Sequence, residues 1–108
     1  FMLSYWVRET GFFTLEEAVR RMTAMPARIM GLKDRGTLAP GQRADINVFD
    51  AATVAEQQPE LVNDFPGGAA RFIQRSTGYK ATLVNGQVNV LDGEHTGARA
   101  GAVLRHAG

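Results

Sequence analysis

The sequence predicts an α+β fold: N-terminal helices followed by a small antiparallel β-sheet. Three observations carry that expectation. A 3.6-residue apolar period follows a helix-start signal at Thr14, the pattern switches to alternation after Gly31, and an Asn85-Gly86 dipeptide separates two apolar runs. A chain of 108 residues holds a single core.

The first 31 residues are helical in character. Phe1 to Thr10 forms a first segment, and Gly11 breaks away from it. Thr14 and Glu17 have the spacing of a capping box, and Phe13 sits where an apolar residue packs back on the first turn as a staple. Leu15, Ala18, Val19 and Met22 then form one apolar stripe. Pro26 suits the first position of a helix, so Pro26 to Met30 reads as a third helix ended by Gly31. Leu38-Ala39-Pro40-Gly41 has the Pro-then-Gly order of a type II turn, and Ala44 to Phe49 alternates as a strand. From Asp50 to Thr77 the pattern is irregular, with loop-like Gln57-Gln58-Pro59-Glu60 and Phe65-Pro66-Gly67-Gly68 and one short strand at Ala70 to Gln74. Asn85-Gly86 supplies the two positive-φ residues of a type I′ turn between Tyr79–Val84 and Gln87–Leu91. That register sets Leu83 opposite Val88 and Ala81 opposite Val90, with Thr82 and Asn89 on the other face.

Composition excludes several function classes. With 12 Lys+Arg against 11 Asp+Glu, no field of one sign exists to gather nucleic acid or acidic lipid, so neither is expected as a partner. Arg20, Arg21, Arg28, Lys33 and Arg35 are the one local basic group, read as the solvated side of helix and loop. The absence of cysteine removes thiolate nucleophiles, disulfides and sulfur-ligated metal sites, and fits a cytoplasmic protein. No apolar run is long enough for a membrane span. The start, Phe1-Met2-Leu3-Ser4-Tyr5-Trp6, reads as the middle of a packed element rather than a signal peptide.

No residue is assigned a catalytic, cofactor-binding or metal-binding role. The two histidines, His95 and His106, are separated by glycines and belong to no ligand motif, and His95 lies in a polar stretch read as a loop. Ser4 is read in a helix and Ser76 in a loop, neither in a nucleophile elbow. Gly36, Gly41 and Gly67-Gly68 do not assemble a phosphate loop. Phe12, Phe13, Met22 and Met25 are expected to pack in the core.

One arrangement is more than generic: Gly36-x-Leu38-x-Pro40-Gly41-x-x-Ala44-Asp45-x-x-Val48-Phe49-Asp50, followed by Val84-Asn85-Gly86. It resembles the amidohydrolase superfamily. The stretch Leu15 to Arg28, then Gly31-Leu32-Lys33-Asp34-Arg35-Gly36, and the ending Asp92-Gly93-Glu94-His95-Thr96-Gly97-Ala98-Arg99 resemble the C-terminal part of N-acyl-D-amino-acid deacylases (D-aminoacylases). Ala100 and the stretch from Asp64 to Thr77 depart from that pattern. The resemblance implies that residues 1–36 end a catalytic barrel region and residues 37–108 belong to a composite β-sandwich. It also implies a parent enzyme in which zinc activates water to cleave an amide, with ligands and base upstream of this segment. The expected partners are the rest of the parent chain, barrel and N-terminal strands, and a second copy through open sheet edges. The alternative is a free-standing α+β interaction or oligomerisation module without catalysis.

Overall fold

A computed structural model describes residues 1–105, so His106 lies outside the described residues. The chain is α+β. A π-helix, Met2–Glu9, precedes helices α1 (Leu15–Met22) and α2 (Ala24–Ile29). Thr14 caps α1 by accepting a hydrogen bond from the Glu17 N–H at 3.2 Å. The reciprocal half of the expected box is missing, because the Glu17 carboxylate binds Arg20 and Arg21 instead. Phe13 packs at the core containing Ala18, as a staple does. Met22, expected on the inward stripe, is 43% exposed.

Helix α2 begins two residues before Pro26, not at it. The N–H groups of the first turn have no intrahelical acceptor, so proline costs nothing there at the third position either. At the Ala39-Pro40-Gly41-Gln42 turn, Gln42 N–H donates to the Ala39 carbonyl at 3.1 Å and Gly41 has φ +86°, the type II pattern.

The main sheet has the order β1 (Ile46–Phe49), β6 (Tyr79–Val84), β7 (Gln87–Leu91), β8 (Glu94–His95), all antiparallel. The hairpin turn has φ of 52° at Asn85 and 76° at Gly86, as type I′ requires. Leu83 does pair with Val88, but Ala81 pairs with Leu91 and Thr82 with Val90. Asn89 is therefore an extra, bulged residue. Its carbonyl turns to accept the Thr96 N–H at 3.0 Å, so the loop after β8 drives the register change.

The irregular stretch holds more order than its sequence shows. Two ribbons form there, β2 (Ala55–Glu56) with β5 (Ser76–Thr77) and β3 (Glu60–Val62) with β4 (Arg71–Ile73). Ser76, expected in a loop, is thus a strand residue. So is His95, in β8 paired with Val90.

The core joins the helices to the turn after β1. Leu3, Ala18 and Val54 are buried, with Met2, Val7, Phe13, Leu15 and Phe49 packed around them. Arg8 ties the π-helix to that turn through Nη1, which donates to the Val54 carbonyl at 2.7 Å. This core is small. The chain exposes 8290 Å², about 2400 Å² more than scaling gives for a folded monomer of 11.7 kDa. Its radius of gyration is 16.1 Å, against roughly 13 Å for a closed domain of this length.

Candidate functional site

The residues that carry sequence signal converge at the tip of the β6–β7 hairpin. Asp45, just before β1, accepts a hydrogen bond from the Asn85 N–H at 2.9 Å through Oδ1. Its other oxygen accepts from Arg35 Nη1 at 3.2 Å. Arg43 reaches both ways: Nε donates to Asp34 at 3.0 Å and Nη1 to the Asn85 Oδ1 at 3.0 Å. The Gly86 N–H donates to the Ala44 carbonyl at 2.9 Å, and Asn85 Nδ2 donates to the Ala100 carbonyl at 3.0 Å. These bonds form a latch that fastens the loop after α2 and the segment after β8 to one hairpin turn.

The Arg43 guanidinium, then that of Arg35, hold the Asp34 carboxyl below the usual carboxylate range. A cavity of about 140 Å³ lies beside the latch, lined by Arg35, Arg43, Asp45, Asn85 and the residues 101, 102 and 104. With its carboxylates paired to guanidinium groups, the latch offers no free base or nucleophile. Its chemistry is mechanical.

The other sequence candidates lie apart from it. Ser4 is buried, and its hydroxyl donates to Glu56 Oε2 at 2.8 Å. Ser76 and His95 are exposed on different strands. Arg20 and Arg21 bind Glu17, while Arg28, Lys33 and Arg35 line an open groove of about 350 Å³ against α2. Phe12, expected in the core, is 69% exposed and stacks edge-on with Trp6 and Phe13.

A zinc ion needs three or four convergent donors. The donors present do not fit one: among the described residues no three His, Cys, Asp or Glu side chains come together.

The Amidohydrolase family model matches residues 1–90. The chain belongs to this family. Within it, the chain is 47% identical over 85 residues to the N-acyl-D-glutamate deacylase of Alcaligenes xylosoxydans xylosoxydans, covering 79% of this chain and 16% of that protein. It is 40% identical over 107 residues to the N-acyl-D-aspartate deacylase of the same organism, covering 95% of this chain and 19% of that protein. A solved D-aminoacylase superposes with a TM-score of 0.77 at 35% identity, over 97% of this chain and 20% of that one. The amidohydrolase chain thus spans about a fifth, or less, of the length of these relatives.

The latch residues were all visible as motif, but their contacts were not. Asp45 and Asn85 stand 40 residues apart, and the bond between them runs from a side chain to a backbone N–H. The available signal was that the tight turn leaves the Asn85 side chain and N–H free to bond elsewhere.

Proposed function

We propose that this chain is the C-terminal structural portion of a metal-dependent amidohydrolase that hydrolyses the amide C–N bond of N-acyl-D-amino acids, and that the catalytic centre lies outside it. In this reading residues 1–36 complete the catalytic barrel region and residues 37–108 contribute to a composite β-sandwich. The parent enzyme binds zinc through residues upstream and works in the cytoplasm. The observation that carries the reading is the unsatisfied surface. An excess of about 2400 Å² is larger than the roughly 800 Å² per partner of a standard interface and lies in the range of permanent ones. The rest of the parent polypeptide, barrel and N-terminal strands, is the partner that covers it. Similarity to three deacylases of N-acyl-D-amino acids over 79% to 95% of the chain supports the reaction class.

A second reading, an interaction or oligomerisation module that works alone, draws on one feature. The outer edge of β1 is an unprotected strand, Ile-Asn-Val-Phe, without charge or proline. Measuring the mass of the native polypeptide in its source cell separates the two, using peptides from 14–20 and 81–99 as markers. A species several times larger than 11.7 kDa is expected. A species of about the chain's own mass, or amidase activity and stoichiometric zinc in the purified 108 residues, overturns the first reading.

A further inference from the structure

We propose that Asn85 is a latent deamidation site kept silent by the latch, so that opening of the latch is recorded as a covalent mark. Asn-Gly is the dipeptide in which main-chain attack on the side chain is least hindered, because glycine carries no side chain to shield its nitrogen. The Gly86 nitrogen attacks Cγ of Asn85, the Cγ–Nδ2 bond breaks, and ammonia leaves. Water then adds across one of the two succinimide C–N bonds, restoring the polypeptide as aspartate or isoaspartate. Water is the one co-reactant, and both residues are exposed to it.

Solvent exposure therefore gives no protection here; hydrogen bonding does. The attacking nitrogen donates its hydrogen to the Ala44 carbonyl at 2.9 Å. The amide under attack is held at both ends, Oδ1 by Arg43 and Nδ2 by the Ala100 carbonyl, each at 3.0 Å. The Asn85 N–H is fixed by Asp45 at 2.9 Å. Swinging the side chain toward Gly86 breaks the Arg43 and Ala100 bonds together, so the reactive geometry is reached when the latch opens.

The product cannot close the latch again. Aspartate puts an oxygen where Nδ2 donated to Ala100, and sets a second carboxylate beside Asp45. Isoaspartate also lengthens the backbone of a two-residue turn, which the type I′ geometry does not accommodate. Either product frees the segment after β8 from the hairpin.

The test follows conversion of Asn85 in the full parent polypeptide at mildly alkaline pH, native and in urea. The peptide Ala81–Arg99 is analysed by mass spectrometry with aspartate and isoaspartate resolved. Conversion is expected to be slow in the native chain and fast in urea. Arg43→Ala, which removes the charge-assisted bond to the Asn85 amide together with the one to Asp34, should raise the native rate roughly tenfold and leave the urea rate unchanged. Should circular dichroism show that variant unfolded, Arg43→Lys, which cannot reach Asp34 and Asn85 together, is judged by the same criterion. Equal native and urea rates in the parent chain overturn the proposal, as does a folded variant that converts no faster than the parent.

Discussion

Gly36 and Gly41 both open the family signature, and both have positive φ, +97° and +86°. Their surroundings differ. A Cβ at Gly36 would lie 2.6 Å from the Ala27 Cβ and 3.1 Å from the Thr23 carbonyl oxygen, while one at Gly41 would meet nothing within 4 Å. Gly41→Ala thus isolates the backbone strain, roughly 1–2 kcal/mol. Gly36→Ala adds a clash with a buried methyl on α2 that has no rotamer to escape to, worth roughly another 1–3 kcal/mol. With a urea m-value of about 1–3 kcal/mol/M, the second variant should unfold at a midpoint about 1 M below the first. Urea titrations followed by far-ultraviolet circular dichroism, with Trp6 fluorescence as a second probe, measure the difference. Equal midpoints would refute the claim that the loop carrying Gly36 is seated against α2.

Thr14→Ala should cost about 1 kcal/mol by orphaning the Glu17 N–H, read as a loss of helical ellipticity on mild heating. Arg20, then Arg21, hold the Glu17 carboxyl down at about 2. A depressed acid contributes stability that is fully present above its ordinary 4.5 and is lost as pH falls through its folded value, so α1 should weaken between those limits. A Glu17 carboxyl titrating near 4.5 by NMR would contradict this. Phe72, 73% exposed, stands opposite Leu61, 58% exposed, on their ribbon. Phe72→Ser should change the stability of the chain by less than about 0.5 kcal/mol while lowering its light scattering at high concentration.

What could be read in advance was local chemistry. The Thr14 cap, the Pro40-Gly41 turn and the Asn85-Gly86 hairpin each need only residues within one turn of each other. The strands between 55 and 77 were mostly missed for the converse reason. Strands of two or three residues are too short to show a period, and Ala55 finds its partner in Thr77, more than twenty residues on. The bulge at Asn89 is likewise not a property of β7 alone. It exists because Thr96, beyond β8, takes the Asn89 carbonyl with its N–H and with its hydroxyl at 3.3 Å. The expectation that Met22 and Phe12 lie in the core failed because this chain has little core to offer. A stripe at helical spacing says that a face wants cover, not that the same 108 residues supply it.

The residues that make the chain recognisable are architectural. Gly36 sits against α2, Pro40-Gly41 turns the backbone, Ala44 and Asp45 bind the hairpin tip, and Asn85-Gly86 receives them. Each is restricted by geometry: a positive φ, a close approach, or a side chain bonded on both sides. The side-chain bonds that Asp45 and Asn85 make run within the junction. Such residues identify a fold family because any protein that builds this junction needs them, whatever it hydrolyses. What separates the N-acyl-D-glutamate deacylase from the N-acyl-D-aspartate deacylase has to lie where those proteins meet their ligands. Similarity carried by such residues therefore argues for shared architecture, and substrate preference has to be sought in residues that touch a ligand.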